Sequence, residues 1–140
     1  MTFIVGDLLE DDLGSGYDVV ASLEVLAHVE DQAKYLRKMH DALKPGGQLF
    51  LATQNKPVLS KFNRLPPPEK GQLRHWVDRA ELRHLVEAAS FTIEEMFVIT
   101  PQSNFGLMRV LAKASRMTRT DRLLGRLGFG WTIMLSARAV

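Results

Sequence analysis

The chain has 140 residues, 46% hydrophobic and 24% charged, which is enough apolar material for one packed domain and places it outside the disordered class. Lys+Arg 18 against Asp+Glu 16 leave a formal charge of +2, too even a balance for a broad nucleic-acid-binding field. The absence of cysteine excludes disulfides, thiol catalysis and Cys-ligated zinc and suits a reducing cytoplasm, and no apolar run approaches the roughly 20 residues that span a bilayer.

Phe3-Ile4-Val5, closed by Gly6-Asp7, reads as a short buried strand, and the stretch from Glu10 to Gly16 as a loop. Tyr17 to Ser22 is rich in β-branched residues and predicts a second strand. A helix is expected from Asp31, with Ala33, Leu36, Met39 (or His40) and Leu43 on one face, until Lys44-Pro45-Gly46-Gly47 stops it. Gln48 to Thr53 is a nearly continuous apolar strand, the pattern of a parallel sheet covered on both faces. Residues 54–77, including Leu65-Pro66-Pro67-Pro68, form a connection of the length found in lids and binding loops. Asp78 and Glu81 predict a capping box for a helix carrying Leu82, Leu85, Val86 and Ala89 on one side. Phe91 to Ile99 reads as a strand. Leu107, Val110, Leu111 and Ala114 return to helical spacing, with Arg109, Lys113 and Arg116 on another face, and Trp131 to Ala137 closes the chain as an apolar strand. Strands alternating with helices predict an α/β sheet whose ligand edge lies where parallel strands end. Asp7, the Leu23 to His28 segment and Gln54-Asn55 all follow such strands.

Two stretches carry a family likeness. Gly16-Tyr17-Asp18-Val19-Val20-Ala21-Ser22-Leu23-Glu24-Val25-Leu26-Ala27-His28-Val29-Glu30-Asp31 is followed by Leu43-Lys44-Pro45-Gly46-Gly47-Gln48-Leu49. Together they resemble the fourth strand, its loop, the next helix and the fifth strand of class I S-adenosylmethionine-dependent methyltransferases. The likeness is to the small-molecule branch that includes the ubiquinone-biosynthesis O-methyltransferase. His75-Trp76-Val77-Asp78-Arg79-Ala80-Glu81-Leu82, running through Ala88-Ala89-Ser90-Phe91, is similar to the approach to that branch's last helix and the turn after it.

The resemblance implies a Rossmann-like α/β sheet, S-adenosyl-L-methionine as cofactor, and methyl transfer to oxygen or nitrogen of a small-molecule acceptor. It implies cofactor contacts for Asp7, whose carboxylate accepts from the adenine amino group, for Leu8 beside it, and for Leu23 after the fourth strand. Glu24 and His28 match the acidic and histidine positions of the loop and are the catalytic candidates, His28 as the base. Asn55, His75 and Trp76 are the substrate-loop candidates. No metal is expected, because Ala27 stands where relatives carry a second acid and a hard cation wants several oxygens. By residue type alone, Asp7 equally suits a turn or cap, Glu24 the first turn of a short helix, and His28, His75 and Trp76 ordinary packing.

One family feature is missing from the sequence. No G-x-G-x-x-G follows a strand: Gly14-Ser15-Gly16 precedes one, and Gly46-Gly47 is a helix stop. The expectation is a partial methyltransferase domain over residues 1–140, N-terminally truncated, with the family's strands 3 to 7 present and strands 1 and 2 missing. Its cofactor site is then too incomplete for activity as a fragment. In the family's order 3-2-1-4-5-7-6, that omission strips Phe3 to Val5 of its neighbours and leaves Tyr17 to Ser22 as an exposed edge, a route to homo-oligomers. Ser90 stands where relatives often have glycine; in a left-handed conformation serine costs roughly 1 kcal/mol. The alternative function is a non-catalytic α/β remnant acting as a binding or oligomerisation module. Arg109 to Arg126 holds six basic residues and one acid among leucines, compatible with an interfacial helix touching a membrane or with a solvated face over a buried stripe. No aromatic-rich basic groove supports a nucleic-acid partner.

Overall fold

A computed structural model describes residues 3, 5–62, 66–99 and 130–140. The elements in chain order are β1 (Tyr17–Leu23), a 3-10 turn (Leu26–His28), α1 (Gln32–Ala42), β2 (Leu43–Gln54), α2 (Lys56–Phe62), α3 (Arg79–Ala88), β3 (Phe91–Ile99) and β4 (Thr132–Ala139). The strands form one sheet in the order β1-β2-β4-β3. β1 is parallel to β2, and β4 runs antiparallel to both β2 and β3. This order reproduces the 4-5-7-6 portion of the expected sheet.

Local chemistry sets the helix ends. Asp31 caps α1 by accepting from the Lys34 N–H at 2.8 Å. Asp78 accepts from the N–H groups of Ala80 and Glu81 while the Glu81 carboxylate accepts from the Asp78 N–H, the full capping box that the sequence predicts. Leu36 and Met39 of α1, with Leu82 and Val86 of α3, close over Leu49, Leu51, Ile133 and Leu135 of the two central strands to form the core. The alternate side chains of the sheet point the other way. On that second face Val19, Leu23, Phe50, Phe97 and Ile99 are each more than 40% exposed.

The structure corrects several expectations. Phe3 and Val5 lie outside any strand and are 82% and 102% exposed; a strand needs a hydrogen-bonding neighbour, and β1 pairs with β2 only among the described residues. The helix of Asp31 ends at Ala42, so Leu43 opens β2 instead of extending the helical face. Lys44 to Gly47 then bulge out of the ladder, since Tyr17 pairs with Leu43 and Val19 already pairs with Gln48. Residues 54–77 are not structureless: α2 occupies their first part, and a bridge between Asn55 and Val77 joins their ends. Ser90 has φ 63, so it does adopt the left-handed conformation in which serine is costly. The expected helix around Leu107 to Ala114 and the basic stretch to Arg126 lie outside the described residues. Among the described residues no helix is long and apolar enough to cross a membrane.

Candidate active site

The C-terminal end of β1 gathers most of the candidates. Leu23, the last residue of the strand, is 62% exposed. Glu24 turns the chain with φ 60, a costly angle for a non-glycine residue, while its N–H still donates to the Ala52 carbonyl at 2.8 Å. The 3-10 turn follows; it buries Leu26 and Ala27 completely and leaves His28 exposed.

The far end of the 54–77 connection is bonded onto this turn. The His75 N–H donates to the Ala27 carbonyl at 2.8 Å. His28 Nδ1 lies 2.9 Å from the Leu73 carbonyl, and since a carbonyl only accepts, Nδ1 carries the proton. Gln32, in the first turn of α1, donates through Nε2 to the Leu26 carbonyl at 2.9 Å and to the His75 carbonyl at 2.8 Å. Residues 28 and 75, distant in sequence, are thereby brought into one corner. Trp76 is half-buried, with the Arg74 guanidinium 5.7 Å from its ring centroid. Gln32 had no sequence signal, because a glutamine in a first helical turn has no distinguishing pattern.

Asp7 belongs to a tight turn. Its Oδ1 accepts from the Leu9 N–H at 2.7 Å, its carbonyl accepts from the N–H groups of Glu10 and Asp11, and its own N–H donates to Asp11 Oδ2 at 2.6 Å. Both Asp7 and Leu8 are exposed. The turn is moored to α1 by Lys34, whose Nζ donates to Glu10 Oε1 at 2.7 Å, and by Lys38, which donates to the Asp11 carbonyl. Lys34 titrates above the usual lysine range, chiefly through that hydrogen bond, with desolvation opposing it.

Asn55 differs from its expected setting. It is 1% exposed, its Nδ2 donates to the Gly130 carbonyl at 2.6 Å, and its N–H donates to the Trp131 carbonyl, so it joins the end of β2 to the start of β4. A side chain bonded and buried in this way holds the sheet together and does not project from a loop. Two polar groups beside it escaped the sequence reading: Thr53 Oγ1 and Gln54 Oε1 are buried with no hydrogen-bond partner among the described residues. The open groove lined by Arg79, Arg83, His84, Glu87 and Met96 contains none of the candidates.

A nucleotide-like cofactor at this edge needs an adenine contact and a place for its charged tail. The Asp7 carboxylate has an oxygen besides the one bonded to Leu9, and Leu8 and Leu23 are exposed, so each is open to a ligand. Among the described residues no glycine turn follows a parallel strand: Gly14 and Gly16 precede β1, and Gly46 and Gly47 lie in the β2 bulge. A Cβ on Gly47 would meet the Lys44 carbonyl at 2.9 Å, so that glycine serves the chain's own packing. Among the described residues no three His, Asp or Glu side chains are grouped to hold a metal ion.

Comparison with known proteins bears on the family and the fold. A family model described as a methyltransferase domain matches residues 6–96. The chain belongs to the methyltransferase-domain family. The match begins at the Asp7 turn, crosses β1, the 3-10 turn and β2, and ends in β3. The ubiquinone biosynthesis O-methyltransferase of Pseudomonas paraeruginosa is 42% identical over 53 residues, 38% of this chain and 23% of that protein. The matched stretch spans less than a quarter of that curated relative's length. A solved S-adenosylmethionine-dependent methyltransferase from Mesorhizobium loti superposes with TM-score 0.62 at 21% identity, covering 95% of this chain and 67% of that one. The Burkholderia thailandensis 1,6-didemethyltoxoflavin-N1-methyltransferase, solved with its substrate and S-adenosylhomocysteine, gives TM-score 0.62 at 17% identity, covering 99% and 50%. These two likenesses establish the fold.

Proposed function

We infer that the chain carries part of an S-adenosyl-L-methionine-dependent methyltransferase acting on an oxygen or nitrogen of a small-molecule acceptor. The observation that supports this most directly is the family match falling across the parallel β1–β2 pair, with Leu23, Glu24 and His28 in the segment that leaves the C-terminal end of β1. Relatives named for ubiquinone O-methylation and toxoflavin-precursor N-methylation support a small acceptor. When bound, the cofactor supplies a methyl group on a sulfonium that is already a good leaving group. The protein's own task is alignment and the removal of one proton.

In this reading Asp7 accepts from the adenine amino group, and Leu8 and Leu23 form apolar walls. His28 is the base: with Nδ1 donating to Leu73, its Nε2 lone pair is available for the acceptor proton. Glu24 is the acidic candidate of the same loop. His75 and Trp76 border the acceptor side.

The test is a titration of the chain with S-adenosylhomocysteine to millimolar concentration, followed by amide chemical shifts. Expected are shifts at Leu8, Leu23 and Glu24 that disappear in Asp7→Ala. Shifts absent from all three, or unchanged by Asp7→Ala, would overturn the cofactor assignment.

A further inference from the structure

We propose that Gln32 is a positioning residue that fixes the tautomer of His28; the role given to that histidine rests on the reading above. The Gln32 side chain makes two donations from one nitrogen, to Leu26 and to His75. Both partners are carbonyl oxygens, so only the amide nitrogen satisfies them and the orientation of the group is determined. One carbonyl belongs to the 3-10 turn and the other to the distant 66–77 segment. Gln32 therefore clamps these two pieces of chain, alongside the bond from the His75 N–H to Ala27.

The clamp holds more than backbone. Two residues before His75 sits Leu73, whose carbonyl receives the His28 Nδ1 proton. With Nδ1 protonated, a neutral ring has its lone pair on Nε2 and can take a proton only there. A carbonyl thus does for His28 what a carboxylate does for the histidine of a catalytic triad: it selects one tautomer and one ring orientation. Without the clamp, the 66–77 segment is held to the turn by fewer bonds, and His28 is released to the mixture of tautomers available to a solvated imidazole. The exposure of His28 makes this sharp, because no buried packing otherwise holds the ring.

The experiment is long-range proton–nitrogen correlation on the imidazole of the whole chain at a pH where His28 is neutral. The wild type is expected to show a pyrrole-type Nδ1 and a pyridine-type Nε2. Gln32→Ala, and Gln32→Glu, which keeps the length but cannot donate, are expected to lower the ratio of Nδ1–H to Nε2–H forms by at least about threefold, the weight of one net hydrogen bond. Retention of the wild-type ratio in a folded variant would overturn the proposal. So would a wild-type chain dominated by the Nε2–H form, a result that needs no variant to fold. Cofactor shifts absent from Leu8, Leu23 and Glu24 in the wild type, with the Nδ1–H form intact, would overturn the cofactor assignment and leave the clamp standing.

Discussion

Ser90 offers the sharpest test of the link from sequence to stability. It ends the turn between α3 and β3 with φ 63, and apart from Glu24 it is the only non-glycine residue with positive φ among those described. A left-handed conformation costs an L-residue about 1–2 kcal/mol. Replacing Ser90 by glycine removes that cost and adds back the greater unfolded-state freedom of glycine, about 0.5–1 kcal/mol. The net gain is about 0.5–1 kcal/mol, or about 2–4 °C in Tm for a chain of this size. The bonds at this position survive the change, because both are backbone bonds: the Ser90 N–H to the Glu87 carbonyl and the Val140 N–H to the Ser90 carbonyl, each 3.1 Å. Ser90→Val should move the other way, since β-branching makes positive φ worse. Urea unfolding of the three proteins reads the effect as a change of midpoint at constant slope. A glycine variant no more stable than wild type, at unchanged slope, would refute the strain argument.

Three further outcomes are expected. Ser22 Oγ and Tyr35 Oη form a buried bond of 2.8 Å, and burial pushes the Tyr35 hydroxyl above its ordinary range with the Ser22 bond partly opposing it. Tyr35→Phe strands the serine and should cost about 1–2 kcal/mol, whereas adding Ser22→Ala should recover part of that loss; strictly additive unfolding energies would show that the pair is uncoupled. Glu81 lies below the usual carboxylate range because Lys56 hydrogen-bonds to it, helped by the Asp78 N–H. Its folded value is lower than its unfolded one, so its stabilisation is whole above about pH 4.3 and is lost as pH falls through the lowered value. Glu81→Gln keeps a capping acceptor but removes this dependence, and parallel stability curves for the two proteins down to about pH 3 would contradict the assignment. Finally, the β1 edge carries neither lysine nor proline, and its single charge, Asp18, is paired with Lys44 at 2.8 Å. Light scattering should therefore find concentration-dependent association that Val19→Lys suppresses; a wild-type chain monomeric at every concentration would exclude it.

Much of the architecture was legible because it depends on near neighbours in sequence. Asp78 and Glu81 are three residues apart, so a capping box can be read directly from their spacing, and the structure contains it. The apolar run of β2 and the helical face of Leu36 and Met39 are periodic signals of the same kind. The strand expected at Phe3 to Val5 had a correct local pattern, but a strand exists only with a partner, and pairing is a property of distant chain. Asn55 illustrates the same limit: its place after a strand suggested a loop contact, and the carbonyl of Gly130 turned it into a buried tie.

The sequence by itself determined the family and the elements β1, α1, β2, α3 and β3, because these reside in short patterns: the stretch from Gly16 to Asp31, the Lys44 to Gly47 break, the Asp78 cap. Only the tertiary structure decided which candidates meet. His28 and His75 are brought to one corner by hydrogen bonds from Gln32, His75 and His28 itself to carbonyls far along the chain. Backbone carbonyls are identical in every residue, so no sequence pattern marks which of them will receive a histidine proton; the fold alone makes that choice.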